Sequence, residues 1–136
     1  MAFSDNAATN VLLDRLGFDA VNDEARRLGC ERTKVRRRRL ADGPENLTCA
    51  RDRAAGLAAI DDERVLDAVA RAHDSELPLL LEGRDVRVKT GELWPRVYHE
   101  VALVDRGLAV AVCSAPAARP GEVAAFAASL VRVNSS

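Results

Sequence analysis

The strand-like segments of this sequence lie together, between residues 86 and 113. Val86–Thr90 alternates apolar and polar side chains, which is typical of a half-buried strand, and Val97–Val104 reads as a second strand. Leu108–Cys113 is apolar at every position, and Asp105–Gly107 has the composition of a hairpin turn. Three consecutive strands joined in this way predict an antiparallel sheet. With helical patterns on either side, the predicted fold class is α+β.

The third strand carries a further expectation. An uninterrupted apolar strand is usually an interior strand with a neighbour on each edge and cover on both faces. The sequence offers one obvious neighbour for Leu108–Cys113, the strand Val97–Val104. We therefore expect the other edge to lack a partner within this chain, and an unpaired apolar edge is a template for pairing with another chain.

Helical periodicity precedes and follows the strands. Residues 30–47 have no clear period and predict a long surface loop. The predicted helices, with the cap and the inward residues of each, are 5–16 (Ser4 or Asp5; Ala8, Val11, Leu12, Leu16), 19–28 (Asp19; Val21, Ala25, Leu28), 48–60 (Thr48; Ala50, Ala54, Leu57), 63–73 after Asp61-Asp62 (Val65, Leu66, Val69) and 121–132 (Val123, Phe126, Ala127, Leu130).

Charge and hydropathy limit the partners. Twenty basic and 21 acidic residues among 136 give a formal net charge of −1, whereas proteins that coat nucleic acid are usually strongly basic. The run Arg36–Arg39 could contact phosphates, but a solvated loop is the better interpretation because few aromatic residues are present for base stacking. No apolar run approaches the roughly 18 residues of a membrane span. The start at Met1 has no leader pattern, so a cytoplasmic location is the default expectation.

The residues that could bind a metal are few and scattered. Cys30, Cys49 and Cys113 form no closely spaced pair, and His73 and His99 are the only histidines. We expect buried or half-buried thiols, no metal site and no organic cofactor.

Two short motifs are candidates for chemistry. Ser4-Asp5-Asn6 opens the first predicted helix, and Lys89-Thr90-Gly91 ends the first predicted strand. Taken separately, the first is also a good helix cap and the second an ordinary strand end. In this order and in these settings they resemble the S-D-N and K-T-G motifs of class A β-lactamases and penicillin-binding proteins.

The resemblance extends beyond the two triplets and covers essentially the whole chain. It implies the C-terminal portion of a β-lactamase/transpeptidase-like domain, with a helical part at 1–75 that includes an omega-type loop at 30–47. Residues 76–136 would hold the last three antiparallel strands and the C-terminal helix. The stretches that carry the resemblance are SDNAATNVLLDRLG, VNDEARRLG, ENLTCARDRAAGL, VKTGEL, YHEVALVD and LAVAVCSA.

The resemblance also implies roles for individual residues. Ser4 would relay a proton to the leaving nitrogen, and Asn6 would hold the acylamino group of the substrate, while Asp5 would be structural. Lys89 and Thr90 would bind the substrate carboxylate, and Gly91 would let the substrate approach the backbone. The backbone N–H of Glu92 would contribute to the oxyanion hole.

The pattern departs from the family in two places. No serine of the chain stands in an S-x-x-K motif, so no acylatable nucleophile is present in these residues. Glu45-Asn46-Leu47 does not match the E-x-x-L-N pattern of the omega loop in class A β-lactamases, so Glu45 is a poor candidate for activating water.

The resemblance implies a β-lactamase-like serine hydrolase domain that transfers acyl groups from β-lactam or peptide-like substrates, and the missing S-x-x-K motif predicts that this chain is inactive on its own. The alternative is a non-catalytic module derived from that fold, which binds a peptide or a protein. The expected partners are a small β-lactam or peptide-like molecule, and either a second copy or an N-terminal fragment at strand 108–113. Members of the family are often exported, so the resemblance leaves the compartment open.

Overall fold

A three-stranded sheet lies at the centre of the molecule, and the computed structural model describes residues 4–71 and 74–135. The strands are β1 (Val86–Leu93), β2 (Val97–Val104) and β3 (Leu108–Ser114), and they are ordered β1-β2-β3. Both pairings are antiparallel, as the sequence predicts, with Gly91 opposite His99 and His99 opposite Cys113. The α+β class is therefore confirmed.

Six helices accompany the sheet in the described part of the chain. The helix α5 was not predicted, because its apolar residues are too few to show a period. The helices are α1 (Asn6–Leu16), α2 (Phe18–Arg27), α3 (Ala50–Ala58), α4 (Glu63–Ala70), α5 (Leu77–Leu80) and α6 (Pro120–Val133).

The two faces of the sheet are covered by different helices. Side chains of one strand point alternately to the two faces, so each face takes every second residue. On one face Val88, Ala102 and Val104 pack against α5 and α6. On the other face Val101 and Leu103 pack with apolar residues of α3 and α4. The sheet is therefore packed between helices on both faces. The strand β1 contacts a helix on each side, α5 on one face and α4 on the other.

Two predicted helix caps are wrong. The carboxylate of Asp5 caps α1 by accepting hydrogen bonds from the backbone N–H groups of Ala7 and Ala8, at 2.8 and 3.0 Å. Asp19 does not cap α2, because that helix already begins at Phe18 with Gly17 as its cap residue. Thr48 does not cap α3 either, since the cap position is Cys49; the Thr48 hydroxyl instead lies 3.0 Å from the hydroxyl of Thr33.

The inward faces of two helices also differ from prediction. In α1, Val11, Leu12 and Leu16 are more than half exposed, and Leu13 is the buried residue. In α6, Phe126 is 56% exposed, whereas the predicted Val123 is buried. Periodicity locates an apolar stripe correctly but does not show whether residues of this chain cover it. The predicted end of α4 at His73 lies outside the described residues.

The strands differ from prediction at their ends and in their burial. The strand β1 continues to Leu93, so the Lys89-Thr90-Gly91 triplet lies inside the strand and not at its end. Within the described sheet the strand β3 pairs only with β2, so its other edge has no partner, as the sequence predicts. It is covered on both faces, by α3 and α6, but Val110 is its only buried residue.

The segment 30–47 is a loop, as predicted, and its arginines are tied to the protein. An isolated antiparallel bridge joins Lys34 to Leu47. The guanidinium of Arg37 pairs with Glu45 at 2.5 Å, and that of Arg38 pairs with Asp14 at 2.7 Å. Intramolecular contacts therefore explain part of the basic run. Within the described residues, no helix has the length and hydropathy needed to cross a bilayer.

Candidate active site

The Lys89-Thr90-Gly91 triplet lies on an edge strand whose outer edge is unpaired within the described sheet. Because side chains alternate, Lys89 shares its face with Val101, on the side of α3 and α4. Thr90 points to the opposite face, where its cross-strand partner is Glu100. The triplet therefore presents an ammonium group, a hydroxyl and a free strand edge within three residues.

The ammonium group of Lys89 is half-buried and carries a charge that no carboxylate within the described residues neutralises by an ion pair. Its Nζ donates a hydrogen bond to the carbonyl of Thr90. Burial lowers the pKa of Lys89; Asp74 opposes this shift, and the positive charges of Arg53 and Arg39 add to it. An anionic group placed here would gain a charge-assisted contact with a partly desolvated cation.

Gly91 borders open space. A Cβ atom built at Gly91 would meet nothing within 4 Å, and its φ is not in the left-handed region. Neither backbone conformation nor packing therefore requires glycine at this position. The space is available to a ligand lying along β1, beside the exposed Glu92.

The Ser4-Asp5-Asn6 triplet lies at the start of α1. Ser4 is exposed with φ of 49°, and its hydroxyl makes no hydrogen bond within the described residues. Asn6 is half-buried, and its Oδ1 accepts a hydrogen bond of 3.2 Å from Nε of Arg39. The charge of Arg39 also contributes to the lowered pKa of Lys89. No hydrogen bond joins Ser4 to Lys89.

Sequence reasoning missed Arg53. The face of α3 that turns toward the sheet carries, at helical spacing, Ala50, Arg53, Ala54 and Leu57. An arginine inside this otherwise apolar stripe was the feature of the sequence that could have identified Arg53. Nε of Arg53 is buried without a hydrogen-bond partner among the described residues. Burial lowers the pKa of Arg53, and Arg39 adds to the shift.

His99 lies on the same face of the sheet as Lys89. It is half-buried between Gly91 and Cys113 on the neighbouring strands, and its Nδ1 has no hydrogen-bond partner in the described chain. Burial and the charge of Arg53 lower its pKa. Both effects favour the neutral form of the His99 side chain.

A buried polar cluster lies on the opposite face, directly across from Thr90. Glu100 is 1% exposed, and its Oε1 accepts a hydrogen bond of 2.8 Å from the hydroxyl of Ser75. Its Oε2 and the hydroxyl of Tyr98 are buried and have no hydrogen-bond partner among the described residues. Burial raises the pKa of Glu100, and burial together with Glu100 raises the pKa of Tyr98 to about 12.

The remaining candidates from the sequence do not form a site. Glu45 pairs with Arg37 in the loop. Among the cysteines, Cys30 is buried and Cys49 half-buried, as predicted, but Cys113 is exposed, which corrects the prediction because β3 is an edge strand. No group of three or more histidine, cysteine, aspartate or glutamate residues in the described part of the chain could hold a metal ion.

Solved structures similar to this one share its fold. A class A beta-lactamase from Mycobacterium abscessus matches with a TM-score of 0.74 and 21% identity, over 100% of this chain and 62% of that chain. A beta-lactamase from Sphaerobacter thermophilus matches with a TM-score of 0.76 and 25% identity, over 96% and 57%. The protein PBP-A matches with a TM-score of 0.73 and 26% identity, over 96% and 55%.

This chain thus spans less than two thirds of the length of these solved chains, which agrees with a partial β-lactamase-like fold. No curated protein matches it significantly. The sequence profile of the beta-lactamase enzyme family matches residues 1–132. The chain therefore belongs to the beta-lactamase enzyme family.

Proposed function

We propose that this chain forms the substrate-holding part of a serine hydrolase site that transfers acyl groups from β-lactam or peptide-like substrates. The observation that carries the proposal is the free edge of β1, where Lys89 offers a half-buried cation beside the open space at Gly91. An extended substrate can add to an open strand edge through main-chain hydrogen bonds, while its carboxylate pairs with a cation.

Each remaining residue takes one part of this proposed site. Thr90 shares the carboxylate, and the backbone N–H of Glu92 donates to the developing oxyanion. Asn6 holds the acylamino group, and Ser4 passes a proton to the leaving nitrogen. Asp5 is structural, since its carboxylate caps the helix that carries Asn6. The exposed hydroxyl of Ser4, free of internal hydrogen bonds in the described chain, is compatible with a relay.

The acylated serine is not part of this proposal for the chain alone. These 136 residues contain no S-x-x-K motif, and the family's reaction needs a serine that a nearby base activates. In our proposal another segment supplies that serine, and it pairs with the open edge of β3. A second copy of the chain is the other partner that could pair there.

A non-catalytic binding module is the second candidate function. Two observations favour it: the absence of S-x-x-K from these residues, and the hydrogen bond by which Arg39 occupies Oδ1 of Asn6. The same β1 edge would then bind a peptide carboxylate without chemistry. The two candidates share a ligand and differ only in whether a bond is broken once a nucleophile is supplied.

Replacement of Lys89 tests the binding site. We expect a fluorescent penicillin to bind the wild-type chain reversibly, and Lys89→Gln to weaken binding about tenfold or more, because a charge-assisted hydrogen bond contributes about 1.5–3 kcal/mol. Fluorescence anisotropy measures the affinity. Lys34→Gln is the matched control, since Lys34 is the only other lysine and lies exposed in the loop.

Equal affinities for the wild type and Lys89→Gln would contradict the proposed site, as would an equal loss in Lys34→Gln. Turnover decides between the two candidate functions. Hydrolysis that appears after addition of an S-x-x-K segment from a related protein supports the hydrolase, whereas binding with no turnover under the same conditions supports the binding module.

A further inference from the structure

A buried carboxyl group lies directly behind one of the proposed ligand contacts. Glu100 on β2 is the cross-strand partner of Thr90 on β1, and the Cβ atoms of such partners are usually about 4.5–5.5 Å apart. Thr90 is half-buried, whereas Glu100 is 1% exposed. Because β1 is the outer strand and β2 the inner one, a ligand at the open edge of β1 would have Thr90 between it and Glu100.

The surroundings of Glu100 favour its neutral form. Burial raises its pKa, a hydrogen bond of 2.8 Å from Ser75 to its Oε1 opposes the shift, and the charge of Glu76 adds to it. Tyr98, two residues earlier on the same face of β2, stays protonated because burial raises its pKa to about 12. The cross-strand partner on β3 is the apolar Val112, and α5 and α6 contribute apolar residues to this face. No cation of the described chain forms an ion pair with Glu100.

The charge of Glu100 decides what the Thr90 hydroxyl can do. This hydroxyl forms no hydrogen bond within the described residues, so it is available to a ligand. An ionised carboxylate behind it would be a strong acceptor and would draw the hydroxyl proton inward. The same negative charge would also oppose an anion at the strand edge. A neutral carboxyl group does neither.

We propose that Glu100 is a positioning residue, whose neutral carboxyl group leaves the Thr90 hydroxyl free to donate to the ligand carboxylate. Glu100 does not touch the ligand and acts through Thr90. Binding of an anionic ligand is then coupled to a proton on Glu100, and the coupling is reciprocal, since each favours the other. The inference rests on the proposed function, because it concerns the same ligand carboxylate.

The affinity for a fluorescent penicillin, measured by anisotropy from pH 5 to pH 8, tests this coupling. The ligand stays ionised throughout, because carboxyl groups of this kind have a pKa of about 3–4. We expect Glu100→Gln and the wild type to bind about equally at pH 5, and Glu100→Gln to bind about tenfold more tightly at pH 8. Lys89 and His99 are present in both proteins, so the ratio of the two affinities isolates Glu100. A ratio that does not change with pH overturns the proposal.

Two further variants test whether the pH dependence belongs to Glu100. Glu82→Gln removes an exposed carboxylate and should follow the wild type at every pH. Ser75→Ala removes a hydrogen bond that favours the ionised form of Glu100, so its affinity should fall at a higher pH than that of the wild type. A merely structural role of Glu100 would not move this midpoint. A midpoint in Ser75→Ala at or below that of the wild type contradicts the coupling.

Calorimetry in two buffers of different ionisation enthalpy counts the protons taken up with the penicillin. At the pH where the wild type has lost half of its pH-dependent affinity, it should take up more protons than Glu100→Gln. Equal uptake by the two proteins overturns the proposal. If Lys89→Gln weakens binding while the affinity ratio stays constant with pH, this inference fails and the proposed function stands. If the wild type binds no penicillin at any pH, the proposed function fails and this inference fails with it.

Discussion

We expect the wild-type chain to elute from a size-exclusion column as a dimer or a larger species. The strand β3 pairs with β2 on one side only, and its sequence is apolar from Leu108 to Cys113. Unpaired backbone groups on such an edge pair readily with another strand. Cys113→Lys should convert the chain to a monomer of 14.7 kDa, because an edge lysine blocks strand addition.

Light scattering at several protein concentrations, under reducing conditions, gives the mass of each species. Reduction prevents a disulfide through the exposed Cys113 from imitating edge pairing. Ala58→Lys, which adds the same charge at an exposed helical position, is the control and should associate like the wild type. A clean monomer of the wild type, with slowly exchanging amides along β3, would contradict the open edge as an association site.

The second large effect concerns the buried Glu100. Burial raises its pKa above the ordinary value of 4.5, so the folded state holds this proton more tightly than the unfolded chain. The fold therefore loses stability as the pH rises from about 4.5 through the raised pKa of the folded state. Glu100→Gln has no proton to lose and should be more stable than the wild type at pH 8, by about 1–3 kcal/mol.

Urea unfolding at several pH values between 4 and 8 measures this difference. The two proteins should be closest in stability at pH 4 and should separate as the pH rises, with the same dependence on urea concentration. Glu82→Gln removes an exposed carboxylate and should follow the wild type throughout. A Glu100→Gln variant that is less stable than the wild type at pH 8 would show that the ionised carboxylate is the stabilising form.

Most of the fold could be predicted because the relevant patterns are local. The strands β2 and β3 begin where the apolar runs begin, and the turn at Asp105 and Arg106 has positive φ at both residues, which suits a tight hairpin. Asp62 caps α4, as is expected of an aspartate that stands directly before a helix. In each case short-range sequence and local geometry point to the same structure.

The errors arise where long-range packing decides. The stripe of Val11, Leu12 and Leu16 is periodic, but no element of the described chain covers it. The same holds for Phe126 on α6, although Val123, Ala124, Ala127 and Ala128 of that helix are buried. A sequence shows which face of a helix is apolar, and the partner of that face depends on residues far away in the chain or outside it.

The candidate site was predicted only in part, for the same reason. The motifs gave Ser4, Asn6 and the Lys89 triplet, because these are short and contiguous. The approach of Arg39 to Asn6 joins residues 33 positions apart, so no local pattern reveals it. The division of the chain into a helical part at 1–75 and a sheet part at 76–136 stays a prediction, as do the roles of the motif residues.

An amide-resolved titration of the labelled chain with a penicillin tests the substrate-holding site most directly. We predict saturable shifts at the amides of Lys89 to Glu92 and of Asn6, which disappear when the penicillin is removed by dialysis. Reversibility is expected because these residues contain no S-x-x-K serine. Shifts confined to other parts of the chain would contradict the site at β1, and a persistent covalent adduct on Ser4 or any other serine would contradict the assignment of the nucleophile to another segment.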